Sequence, residues 1–365
     1  PDDKKLNKIK IDATDFEDST NKLNEERKKL STKDRVAYTS HTMFYPFTID
    51  DCFLSSSQNL FPVEYAIKHK NDLLESGQYS GMLCDVFLES GNKLGTTKSN
   101  KQLAGFPFNG GILDAPVQIF EMPQSNNFSD YVYVAGLDAY KQAKSETASL
   151  GTFYIFKRRV GIRDPYAYRI VVSYAARPSS IDQFCRTCEV LQKGYGAICL
   201  MENADQMYEQ YLNRKSGMPA SFFLFAGEAI ANKYVKAGSR QNSKLGLYPT
   251  PGNQNLLFSC VVDYCWQDFV IGYDDQTGLD ITVKGIELID DIALLDEIIQ
   301  YKPGLNVDRI IAFGHALVLA RYFDDNNYMP KSKIEEMNNA RKEDAYKHHE
   351  VYASAFGSVS IGAFR

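Results

Sequence analysis

The feature that most constrains this chain is the dense apolar run at residues 131–137, which stops abruptly at Asp138. A short apolar run rich in β-branched and aromatic residues reads as a buried strand. Two more such runs follow at 151–156 and 168–174. Three consecutive strands suit an antiparallel meander. Next, Ile181, Phe184, Cys185, Cys188 and Leu191 recur at helical spacing, which predicts a helix over 181–193 with Ser180 as N-cap and Gly194 as its stop. A fourth strand is predicted at 197–201, ending at Glu202, then a helix at 204–213 and a fifth strand at 221–225. Strands separated by helices suit parallel crossovers. The order β-β-β-α-β-α-β therefore predicts an α/β fold, a mixed sheet flanked by helices.

The flanks read differently. Residues 15–29 form an amphipathic, charged helix. Residues 36–125 look irregular, with short apolar runs at 82–87 and 117–122, and are expected to be a connector packed on the next domain. Helices are expected at 253–268, at 290–300 and at 306–322. A hairpin is expected over 269–283 around Asp274-Asp275-Gln276-Thr277-Gly278. From 328 the chain is charged and then rich in Gly and Ser, as disordered tails are. The expected partition is an N-terminal helix and connector at 1–125, the main domain at 126–327 and a polar tail at 328–365.

Composition narrows the function classes. No apolar run approaches the ~20 residues needed to span a bilayer, and residues 1–10 lack the apolar core of a signal peptide. The start at Pro1 suggests an excised fragment. The seven Cys are scattered and odd in number, the pattern of reduced cytoplasmic thiols. Cys185 and Cys188 form a lone C-x-x-C inside a helical pattern, which favours packing over zinc. A net charge of −5 weighs against a nonspecific DNA-coating module. It does not exclude a nuclease, because bound metal offsets an acidic cluster.

Three acids occupy telling positions. Asp138 and Glu202 end apolar strands, and Asp308 opens a helix after the Pro303-Gly304 break. Strand ends in such a sheet converge at one edge. Clustered carboxylates repel, and hard divalent cations such as Mg2+ or Mn2+ remove that cost. Two such ions ~3.5–4 Å apart can activate water and stabilise a leaving oxygen in phosphodiester cleavage. Taken singly, each acid is better read as a helix cap or a solvated loop residue than as a metal ligand.

Four stretches and a turn, in this order and spacing, resemble the C-terminal nuclease domain of the large terminase subunit of tailed bacteriophages. Tyr133-Val134-Ala135-Gly136-Leu137-Asp138 looks like that family's first strand, and Ala197-Ile198-Cys199-Leu200-Met201-Glu202-Asn203 like its later one. Leu294-Leu295-Asp296-Glu297-Ile298-Ile299-Gln300-Tyr301, followed by Asp308-Arg309-Ile310-Ile311-Ala312-Phe313, is similar to the closing pattern. Upstream, Tyr45-Pro46-Phe47-Thr48-Ile49-Asp50-Asp51-Cys52-Phe53 resembles the connector between ATPase and nuclease. Lys244-Leu245-Gly246-Leu247-Tyr248-Pro249-Thr250 resembles a turn before a helix of the nuclease.

The resemblance covers about residues 36–325 and implies an RNase H-like fold. It implies a metal-binding catalytic triad of Asp138, Glu202 and Asp308, holding two Mg2+ or Mn2+ ions. The implied activity is cleavage of double-stranded DNA during viral genome packaging, in the host cytoplasm. The implied partners are DNA, the portal, the small terminase subunit and a missing ATPase domain, with no membrane. Some relatives carry two adjacent acids where this chain has Asp308-Arg309; Asp205, Asp290 or Asp291 could supplement the site, although solvated helix surface is the better reading of each. The Gly-rich stretch at 91–99 departs from G-x-x-x-x-G-K-[ST] and is expected to be a loop without ATPase chemistry.

Lys157, Arg158, Arg159 and Arg163, and Lys233, Lys236, Arg240 and Lys244, are candidate phosphate contacts. His315 and Trp266 read as core residues. The 269–283 hairpin reads as structural or as a DNA guide. A non-catalytic DNA-gripping or motor-docking module is the competing reading; an actin-like kinase ranks below both, because Gly-rich phosphate loops are missing after the strands.

Overall fold

A computed structural model of the chain describes residues 16–31, 41, 45, 47, 59–77, 81–140, 149–158, 167–204, 206–235, 245–274, 277–302 and 304–328. Helix α1 (Phe16–Ser31) is followed by α2 (Val63–Ser76) and by strands β1 (Met82–Leu88), β2 (Leu94–Lys98), β3 (Val117–Ile119), β4 (Tyr133–Asp138), β5 (Gly151–Lys157) and β6 (Arg169–Ala176). Then come α3 (Ile181–Tyr195), β7 (Ile198–Met201), α4 (Met207–Lys215), α5 (Gly227–Tyr234) and α6 (Pro251–Trp266). The hairpin β8 (Asp268–Asp274) and β9 (Leu279–Lys284) precedes α7 (Ile292–Ile299) and α8 (Asp308–Asp325).

The main sheet has the strand order β2-β1-β3-β6-β5-β4-β7. Its ladders are antiparallel except β4 with β7, which run parallel. The expected meander is β4-β5-β6, and α3 is the crossover that returns the chain to β7 beside β4. This is a mixed sheet with helices on both faces.

Two findings differ from the sequence reading of the flanking segments. The stretch expected as an irregular connector supplies β1, β2 and β3, so the sheet runs unbroken across residue 125. These strands lack clean alternation because Leu83, Val86 and Phe87 are only partly covered on this flank of the sheet. The Gly-rich stretch at 91–99 is not a loop; it turns at 90–92 and forms the edge strand β2. The expected fifth strand shrinks to one parallel bridge, Cys199 with Leu224, because a tight turn over Ala220–Phe222 uses up its start. Helix α3 also runs past Gly194, which packs against Leu94, and stops at Gly196 in the left-handed region.

Side-chain alternation divides the sheet into two faces. Tyr133, Ala135, Leu137, Phe153, Ile155, Cys199 and Met201 pack with α3 and α4. Val134, Tyr154, Phe156 and Leu200 pack with α2, α6, α7 and α8. Cys185 and Cys188 are buried free thiols in the first of these layers, and burial pushes Cys185 up to about 12, as expected of packing residues. Helix α8 is apolar nearly all round and accordingly buried. His315 lies wholly inside, with Nδ1 against the Ile311 carbonyl; burial holds it neutral at a pKa of about 4.

Helix α8 lies directly on β4 at Gly136. A Cβ there would stand 2.5 Å from the Ala316 amide nitrogen and closer still to the Ala312 carbonyl. Both obstacles are backbone, so they cannot rotate away. Gly136→Ala is therefore expected to lift α8 from the sheet and destabilise the fold by about 3 kcal/mol or more, read as a lower urea midpoint.

Candidate functional site

The site begins with parity. Asp138 lies two residues beyond Gly136 and Glu202 two beyond Leu200, so both side chains leave the sheet on the face that α8 covers. Strands β4 and β7 are parallel with Leu137 opposite Met201, and the Glu202 amide donates to the Leu137 carbonyl at 2.9 Å. The two acids thus end adjacent strands at one edge.

Helix α8 delivers the third. Asp308 precedes Ala312 by four residues, about 6 Å along a helix axis. Asp138 lies two residues past Gly136, about 6.7 Å along a strand. The match brings Asp308 level with Asp138 once α8 rests on Gly136. The start of β5 fixes its carboxylate: Leu150 N–H donates at 2.7 Å and the Ser149 hydroxyl at 3.1 Å, and Asn306 adds a donor at 3.0 Å.

Asp138, Glu202 and Asp308 line one cleft of about 570 Å³, with Gln254, Asn255 and Asn306 presenting amides around it. Burial raises the Asp138 carboxyl well above the usual range, and the charges of Glu202, Asp308 and Glu297 add to this. Burial also raises Asp308, against the pull of Leu150, Ser149, Asn306 and Arg309. Thr152, the cross-strand partner of Asp138, is fully buried, and its hydroxyl has no hydrogen-bond partner among the described residues. Sequence reasoning missed it, because only the β4–β5 register sets it beside an acid.

The other predicted ligands fall elsewhere. Asp291 is the N-cap of α7 and accepts from Ala293 N, Leu294 N, Tyr154 Oη and Ser173 Oγ, which uses up both oxygens on the protein itself. Asp290 sits near Arg169 and His69, at 3.7 and 3.9 Å, and does not line the cleft. Asp205 lies outside the described residues. Arg309 turns away from the cleft into the core, where it faces Glu297 at 3.7 Å. Glu297 is buried, and burial pushes it up to about 8.

The basic candidates also divide. Lys157 is fully buried on Glu121 at 2.7 Å, and Arg158 is buried against Asp324, Tyr131 O and Tyr328 O. Both side chains are buried, so neither is available as the phosphate contact expected of it. Lys233 is partly covered, 3.5 Å from Asp325 and beside Tyr234 and Tyr322. Arg159, Arg163, Lys236, Arg240 and Lys244 lie outside the described residues.

A hard cation fits this donor set by chemistry: all-oxygen ligands, a carboxyl that resists ionising alone, and an unpartnered hydroxyl beside it. As they stand, the described residues include no group of three His, Cys, Asp or Glu arranged to hold a metal ion. Among them, no helix is long and apolar enough to cross a membrane. No protein-family model matches the chain, and no curated protein matches it.

The folded protein holds the Asp138 proton more tightly than the unfolded chain does. Stability without cation therefore falls as pH rises from the ordinary carboxylate range through the raised Asp138 value. Saturating Mn2+ is expected to raise the melting temperature by about 5 °C, and by more at pH 8 than at pH 6. Asp138→Asn should raise cation-free stability by about 1–2 kcal/mol and abolish the cation response. Thermal denaturation with and without Mn2+ at both pH values checks both.

Proposed function

We propose that the chain is a metal-dependent endonuclease acting on double-stranded DNA, with an RNase H-like fold of the kind found in large terminase subunits. The observation that carries this reading is the convergence of Asp138, Glu202 and Asp308 in one cleft from two strand ends and a helix start. The strand order β6-β5-β4-β7, with a meander, a helical crossover and one parallel pair, supports the fold assignment.

In this reading Asp138 and Glu202 offer carboxylate oxygens from the rigid sheet edge, and Asp308 offers one from α8. Two Mg2+ or Mn2+ ions held there would supply a water activated for attack and positive charge for the leaving oxygen. Leu150 N–H, Ser149 and Asn306 hold the Asp308 carboxylate in one orientation before substrate arrives. Gln254 and Asn255 line the cleft and would offer amide donors to phosphate oxygens without adding charge. With Lys157 and Arg158 used internally, longer-range phosphate attraction falls to Arg159, Arg163, Lys236, Arg240 and Lys244. Duplex DNA is the substrate; the portal, small terminase subunit and an ATPase partner follow from the family resemblance, as does action in the host cytoplasm.

Incubation of supercoiled plasmid with the chain and Mn2+ is expected to give nicked and then linear DNA. Loss of an outer-shell partner at a metal site costs 10–100-fold, so Asp138→Ala, which removes a direct ligand, should cut activity by more than about 100-fold. A parent chain that binds duplex DNA and never cleaves it in Mn2+ or Mg2+ would sink the nuclease reading in favour of a DNA-gripping module.

A further inference from the structure

Helix α8 carries Asp308 at its first turn, yet it has no cap of its own. Val307 precedes it and offers no side-chain acceptor, and the Asp308 carboxylate is turned to Leu150 and Ser149 of the β5 start. A helix start leaves its first amides without intrahelical partners. Here the Ile310 N–H is satisfied from a different helix: it donates to Glu297 Oε1 on α7 at 2.8 Å. The other Glu297 oxygen stands 3.7 Å from Arg309 Nη1, and the Arg309 guanidinium donates to the Ala104 carbonyl. Glu297 and Arg309 are each about 98% buried, at 2% side-chain exposure.

Helix α7 is itself bolted to the sheet. Asp291 caps its N-terminus and accepts from Tyr154 on β5 and Ser173 on β6, and the Asn59 amide donates to the carbonyls of Ile298 and Ile299 at its far end. A continuous set of hydrogen bonds thus runs from the sheet through α7 to the first turn of α8. A buried acid–arginine pair is a poor source of stability, since well-packed apolar residues often serve as well or better. An acid and an arginine kept side by side in this apolar layer therefore call for a role other than stability.

We infer that Glu297, with Arg309, is the positioning element of the cleft: it caps α8 from outside and so sets where Asp308 faces Asp138. This rests on reading the cleft as a divalent-cation site. Neither residue touches substrate or cation; both act through Asp308.

Two double variants separate the role from folding. Glu297→Gln with Arg309→Met keeps an oxygen for the Ile310 amide and leaves no unpaired charge. Glu297→Leu with Arg309→Met removes the charges and the cap together. Both are expected to fold, the capless pair melting a few degrees lower because a lost helix cap costs stability. The capless pair is expected to lose about 10–100-fold in Mn2+ affinity by calorimetry, the range found when a group orienting a ligand is removed. Its kcat on plasmid should fall while KM for DNA holds, and the Gln pair should recover most of both. Amide exchange should show lost protection at Ile310 in the capless pair only, with the remainder of α8 unchanged.

Equal Mn2+ affinity and equal Ile310 protection in the two folded pairs would overturn the positioning role. A parent chain that binds no Mn2+, with Asp138→Ala indistinguishable from it, would instead overturn the cation site. The exchange data would then report the cap alone.

Discussion

The close approach of α8 to β4 at Gly136 is the contact on which the rest depends. It works because no side chain intervenes between a helix backbone and a strand backbone. Its consequence is metrical. Four residues of helix and two of strand cover nearly the same distance, so resting Ala312 on Gly136 places Asp308 beside Asp138. The sheet parity that makes Gly136 face α8 also turns Asp138 and Glu202 the same way. One glycine therefore couples core packing to the geometry of the acidic cleft.

That arrangement is electrostatically unfavourable when nothing is bound. Burial and three neighbouring acids raise Asp138, and the protein offsets only part of the burden by donating to Asp308 from Leu150, Ser149 and Asn306. Where acids are structural, the chain satisfies them fully, as with the four donors on Asp291. Asp291 carries two donors on each oxygen, whereas Asp308 carries three in all and keeps room for a further partner; that contrast is the physical basis for separating scaffold from site. The same contrast removes Lys157 and Arg158 from the substrate surface, because both are occupied inside the fold.

Much of the central fold was legible in the sequence because its signals are local. The runs around 131–137, 151–156 and 168–174 carry the apolar density of fully buried strands, and the 181–193 pattern carries the period of a helix. The strands at 82–88, 94–98 and 117–119 were missed because they are short, partly exposed or interrupted by residues such as Asp85 and Gly95. They become strands by pairing with residues far along the chain, such as Gln118 with Ser173. The fifth strand was overcalled for the opposite reason: its residues are strand-like, but only Leu224 finds a bridge.

The sequence by itself determined which acids stand at element boundaries, because an apolar run ending in Asp138 or Glu202, and a break before Asp308, are features of neighbouring residues. It also determined that the chain alternates strands and helices in an order suited to a mixed sheet. Only the tertiary structure decided which acids meet. Asp290, Asp291 and Glu297 have local contexts no less suggestive than that of Asp308, yet Asp291 caps a helix, Asp290 faces His69 and Arg169, and Glu297 caps a helix it does not belong to. The difference is set by the β4–β7 register, which pairs Leu137 with Met201, and by the seat of α8 on Gly136; both relate residues far apart in the chain and leave no mark on any local stretch of it.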